Sequence, residues 1–158
     1  MATDLPMYIP RTPAKKGHIS VIEDSPDQWE LIQAAGEQTM PDVDLIWHTN
    51  TSDALTYLNA CVADKKPLPK LLLLDLYVPD AKHAWELLQT IRQPDSPFLW
   101  MPVVLITNSQ QPENINNFYA FGGTSYIVKP ATYEQWVDYL QSVRQYWWET
   151  VTLPGSRG

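Results

Sequence analysis

Leu71-Leu72-Leu73-Leu74-Asp75 is a continuous apolar run that ends on a carboxylate, and its reading decides the fold class. A strand buried on both faces has no polar side to alternate with, so such a run reads as a central strand of a parallel sheet. Three further runs follow the same plan. Ile19-Ser20-Val21-Ile22 ends in Glu23-Asp24, Val103-Val104-Leu105-Ile106 in Thr107, and Tyr126-Ile127-Val128 in Lys129-Pro130. In an open parallel sheet, ligands collect at the carboxyl ends of the strands. Three acids, a hydroxyl and an ammonium brought to that one edge form a donor set for phosphoryl and divalent-metal chemistry.

Between these runs the chain carries helix signals. Ser25-Pro26 opens a helix in the expected order, cap and then proline, and runs to about Gln38. Val43 to Trp47 reads as a strand and Thr51 to Val62 as a helix. Ala84, Leu87, Leu88 and Ile91 recur at helical spacing, Glu113 to Phe121 forms a short helix stopped by Gly122-Gly123, and Tyr133 to about Trp148 forms the last one. Five strands alternating with five helices imply βαβ units and a three-layer α/β sandwich. Residues 1–17 read as a flexible lead-in, 18–148 as the domain and 149–158 as a tail.

Composition narrows the function. A chain of 158 residues with a formal net charge of -7 lacks the basic surface that sequence-blind nucleic-acid binding needs. Its single cysteine, Cys61, excludes an internal disulfide framework and fits a reducing, cytoplasmic compartment. No apolar stretch approaches the roughly 20 residues that span a bilayer. Cys61 reads as a small core residue, and His18, His48 and His83 have no ligand-like spacing. Each site residue also has an ordinary explanation taken singly: Asp75 as a turn residue, Glu23-Asp24 as a helix cap, Thr107 as a helix start, Lys129 as a solvated strand exit, Tyr126 as a strand aromatic. Only their joint order argues for chemistry.

That order, Glu23-Asp24, Asp75, Thr107 and Lys129-Pro130, resembles the receiver domain of two-component response regulators over roughly His18 to Trp148. The resemblance implies a flavodoxin-like, five-stranded parallel sheet of order 2-1-3-4-5 with five helices. It implies Asp75 as phosphoacceptor. It also implies Mg²⁺ bound by Asp24, Asp75 and the backbone carbonyl of Tyr77, with Glu23 acting through water. Lys129 is then the phosphoryl counter-ion, and Thr107 with Tyr126 the switch. The ending Trp147-Trp148-Glu149-Thr150-Val151-Thr152-Leu153-Pro154 further resembles single-domain regulators that partner phytochrome-type histidine kinases. A histidine kinase or a histidine phosphotransfer protein is thus the expected donor, and no output domain is expected in the tail.

The chain departs from the family pattern in three places. Tyr77 puts a bulky aromatic two residues after Asp75, Asn108 follows Thr107 where a smaller residue is usual, and the Pro79 to Glu86 segment lacks the usual glycine. Slow dephosphorylation is the expectation. Trp136, Tyr139, Tyr146, Trp147 and Trp148 exceed what one buried stripe can absorb. They predict a homodimer through helix four, strand five and helix five, the alternative being cover for the sheet edge within one protomer. Two rival functions stand beside this reading. One is a receiver-like scaffold that is not phosphorylated. The other is a phosphatase with an aspartyl nucleophile, which Tyr77 opposes because haloacid dehalogenase-type enzymes carry a second Asp at that position.

Overall fold

The computed structural model describes residues 16–78 and 80–151. Most of the 1–17 lead-in, Pro79, and most of the 149–158 tail lie outside the described residues. Five strands, β1 (His18–Ile22), β2 (Asp44–His48), β3 (Leu71–Asp75), β4 (Val103–Thr107) and β5 (Ser125–Val128), form one sheet in the order β2-β1-β3-β4-β5. Every pairing is parallel. The intervening helices are α1 (Pro26–Thr39), α2 (Thr51–Ala63), α3 (Ala81–Ile91), α4 (Pro112–Ala120) and α5 (Tyr133–Val143). Each bound lies within a residue or two of the sequence reading, apart from the end of α5.

The apolar runs divide between two cores because successive strand side chains point to opposite faces. Leu72 and Leu74 join Ile22, Val103 and Leu105 beneath α2, α3 and α4, where Leu58, Leu87, Leu88 and Phe118 pack. Leu71 and Leu73 join Ile19, Val21, Val104 and Ile106 against α1 and α5, where Ile32, Ala35, Trp136 and Leu140 pack. Leu71, Leu72, Leu73 and Leu74 are each at most 1% exposed. Burying one contributes about 1.5–3 kcal/mol, so a charge anywhere in the run would open one core or the other.

Local chemistry starts and stops the helices. Ser25 caps α1 by accepting from the Gln28 N–H, with Pro26 in the first turn. Asn50, Asp80 and Thr132 cap α2, α3 and α5 in the same way. After α4 the chain turns at Gly122, whose φ of +94° is costly for any side chain. Cys61 is buried, as expected of a core cysteine. His48 is buried against the Ser20 hydroxyl at 3.0 Å, His18 meets the Tyr57 hydroxyl at 2.8 Å, and His83 sits exposed beside Asp80.

The last helix corrects the sequence reading in two respects. The α-helix ends at Val143, and Arg144–Trp148 continue as a π turn. Within this turn two adjacent tryptophans lie against their own protomer. Trp147 packs on the α1–α5 core, while the Trp148 indole donates to the Lys16 carbonyl at 2.7 Å beneath the Lys70 ammonium. Trp136 is fully buried and Tyr139 packs beside it. Of the five aromatics, Tyr146 is the one left largely exposed, at 52%. A single protomer thus absorbs most of the surplus, so the aromatic count does not require a second copy. Arg144 anchors this segment through a bidentate ion pair with Asp42, its second bond measuring 3.0 Å.

Candidate functional site

The sheet delivers all five motif positions to its carboxyl edge. Asp75 closes β3 and Thr107 closes β4, while Glu23-Asp24 and Lys129 follow directly on β1 and β5. Lys129 ties the edge together. Its ammonium donates to Glu23 Oε2 at 2.6 Å and to Asp75 Oδ2 at 2.7 Å, bridging groups 106 and 54 residues away. The backbone N–H of Lys129 donates to the Thr107 carbonyl at 3.1 Å, holding the ammonium's stem beside β4. Asp75 Oδ1 accepts from the Tyr77 N–H at 3.1 Å, and Glu23 Oε1 from the Ser25 N–H at 3.1 Å. Charge-assisted bonds this short are the strong ones.

Burial sets the electrostatics. It pushes the Glu23 carboxyl above its ordinary range, and the bond from Lys129 offsets this only in part. Burial pulls Lys129 down, but its bonds to Asp75 and Glu23 outweigh that and hold it above the usual lysine range. The ammonium therefore stays charged at any physiological pH. With all groups ionised, three carboxylates and one ammonium leave a net -2, the charge a divalent cation balances.

Asp24 is exposed on the turn after Glu23. Among the described residues, no three His, Cys, Asp or Glu side chains gather closely enough to hold a metal ion by themselves. A hard cation that keeps several waters needs only one or two carboxylates and a carbonyl. Oxygen donors of this kind, on Asp24, Asp75 and Glu23, suit a hard, partly hydrated cation and lack the nitrogen and sulfur ligands of a structural zinc site.

Thr107 is buried, and its Oγ1 accepts from the Ser109 N–H at 3.1 Å, leaving the hydroxyl proton to donate. Tyr126 lies on β5 with its ring packed toward the α2–α3–α4 core and its hydroxyl buried. Tyr77 is 46% exposed at the mouth, and its hydroxyl accepts from Asn114 Nδ2 at 3.2 Å, with the same amide 3.0 Å from Ser109 Oγ. Asn114 thus links the loop after β3 to the loop after β4. Sequence alone does not single out Asn114 or Ser109, because an amide in a first helical turn and a hydroxyl in a loop read as ordinary surface. Nor does it single out Trp47, whose indole donates to the Glu23 carbonyl at 2.6 Å. The parallel register that sets Val21 beside Trp47 was the available signal.

Comparison with known proteins gives the family. The family model for the response regulator receiver domain matches residues 19–141. Response regulator Rcp1 of Synechocystis sp. is 30% identical over 140 residues, covering 87% of this chain and 93% of its own length. Among solved structures, the phosphorylated cyanobacterial phytochrome response regulator RcpA is similar with a TM-score of 0.74 at 28% identity, covering 88% of this chain and 99% of that one. The Mn(2+)-bound form of Rcp1 gives a TM-score of 0.72 at 29% identity with the same coverage. The chain belongs to the response regulator receiver domain family.

Proposed function

We propose that this chain accepts a phosphoryl group on Asp75 and signals through protein contacts. One observation carries the reading: the Lys129 ammonium joins the Asp75 and Glu23 carboxylates at the edge where Thr107 presents its hydroxyl. In the transfer, an Asp75 oxygen bonds to phosphorus as the phosphorus–nitrogen bond of a donor phosphohistidine breaks, and the electron pair returns to the donor imidazole. Lys129 already donates to Asp75 Oδ2, so it can pass a hydrogen bond to a phosphoryl oxygen without leaving its place. Asp24, Asp75 and the Tyr77 backbone carbonyl, with Glu23 through water, would hold a Mg²⁺ ion, which when bound would supply the positive charge that lets two anions meet. Catalysis is confined to the domain's own phosphorylation and dephosphorylation.

Readout begins at Thr107. A phosphoryl group adds about -1.5 to -2 charges and strong acceptors. The Thr107 hydroxyl donates to it, and the bond from the Ser109 N–H draws the loop before α4 along. Tyr126 responds on β5. Its inward ring leaves a buried hydroxyl without a protein partner among the described residues, a cost that favours a second ring position. The α4–β5–α5 face becomes the contact surface. Tyr119 on α4 and Val128 at the end of β5, 50% and 56% exposed, support a homodimer there.

The donor is a histidine kinase, of phytochrome type given the relatives, or a histidine phosphotransfer protein. A cytoplasmic location fits the unpaired Cys61, and among the described residues no helix is long and apolar enough to cross a membrane. Incubation with a labelled, phosphorylated histidine phosphotransfer protein tests the reading. The label moves to this chain, is released by hydroxylamine as an acyl phosphate must be, and does not move to Asp75→Asn. No transfer to a protein that also fails to bind Mg²⁺ would favour the scaffold.

A further inference from the structure

We propose that Trp47 is a positioning residue for the metal-binding acids. The inference rests on the reading that Asp24 and Asp75 hold a divalent cation. Glu23-Asp24 lies just beyond β1, where sheet pairing no longer fixes the backbone. Edge strand β2 fixes it instead, from both sides of Glu23. The Glu23 N–H donates to the His48 carbonyl at 3.0 Å, and the Glu23 carbonyl accepts from the Trp47 indole at 2.6 Å. That carbonyl belongs to the peptide joining Glu23 to Asp24. Holding it sets the plane of the peptide and hence the direction in which the Asp24 side chain leaves the chain.

The indole is itself braced. Trp29, in the first turns of α1, stacks on Trp47 with ring centroids 5.5 Å apart and planes 10° apart. An indole N–H can only donate, and a half-buried one on an edge strand could have turned toward water. Here it serves a carbonyl 24 residues away. With Lys129 fixing the Glu23 carboxylate and β2 fixing its backbone, the residue before Asp24 is restrained at each of its polar groups. Trp47 touches no reacting group and acts only through the orientation of Asp24.

Trp47→Phe keeps the stacked ring and removes the donor. Mg²⁺ binding followed by calorimetry should weaken about fivefold, the equivalent of one ordinary hydrogen bond. In an Asp24→Asn background the same change should have no further effect, because the clamp works through that side chain. A purely structural role would lower thermal stability equally with and without Mg²⁺, whereas positioning shrinks the stabilisation that Mg²⁺ adds. Unchanged affinity, or an effect that persists undiminished in Asp24→Asn, would overturn the proposal. An observation on the unaltered protein covers the case of a poorly folded variant. The Trp47 indole proton, assigned through its contact with Trp29, must be protected from exchange and its resonance must move on Mg²⁺ titration; a freely exchanging or unresponsive indole overturns it. No Mg²⁺ binding in the unaltered protein would remove the metal reading and the clamp with it.

Discussion

Lys129→Met should destabilise the domain by about 3 kcal/mol at pH 7, and the loss should shrink as the solution is acidified. Lys129 makes two charge-assisted bonds of 2.6 and 2.7 Å, to carboxylate side chains only 4% and 14% exposed. Removing one partner of a buried ion pair costs about 3–5 kcal/mol because the other charge is left uncompensated. The lower figure applies, since this edge is open enough for water to reach Asp75. For a chain of this size, 3 kcal/mol lowers the melting temperature by about 6–12 °C. The pH dependence follows from Glu23, whose carboxyl burial already raises. Without Lys129 it rises further, so from pH 7 down to the unfolded carboxyl's own value the folded variant binds more protons than the unfolded chain. Stability then increases as pH falls toward the unfolded carboxyl's own value. Calorimetric melting across that range, beside a Glu23→Gln/Lys129→Met double variant that regains most of the loss, checks both parts. A single variant as stable as the parent at pH 7, or one whose deficit is constant with pH, would refute the reasoning.

Three further outcomes are expected. Tyr77→Asn and Asn114→Ala should each shorten the phosphoryl half-life on Asp75, since the first removes the ring over the site and the second the hydrogen bond that tethers it; a half-life unchanged in Tyr77→Asn would remove the case for shielding. Gly123→Ala should cost about 1–3 kcal/mol in denaturant unfolding, because its new methyl would strike the fully buried Phe118 ring. The bond from Arg144 holds the Asp42 carboxyl down at about 2, so the pair's contribution, about 1 kcal/mol, should be intact above pH 4 and fade between about pH 4 and 2, a fading that Arg144→Ala abolishes in an acid titration.

The sheet was legible because its signal is local: Leu71 to Leu74 can be apolar without a break only if both faces are covered, and both faces are. The site was legible for a related reason. In a parallel sheet a strand's last residue has a known destination, so Asp75, Thr107 and Lys129 could be placed together without knowing any contact. What the sequence concealed depends on pairings between distant residues. The Trp47 bond ends on a main-chain carbonyl, so no partner side chain advertises it. Asn114 acts through two loops whose closeness only the fold creates. The π turn at Arg144–Trp148 accommodates neighbouring tryptophans, a preference of tertiary packing and not of helix propensity, which is why the surplus of aromatics read as an interface.

Phosphorylation of Asp75 is the claim on which the functional account depends, and intact-mass measurement reaches it most directly. The protein is incubated with a small acyl phosphate donor and Mg²⁺, alongside Asp75→Asn and a sample stripped of the metal. One phosphoryl adduct is expected, dependent on Mg²⁺ and absent from the variant. An adduct that persists in Asp75→Asn, or none on a protein that fails to bind Mg²⁺, would contradict it.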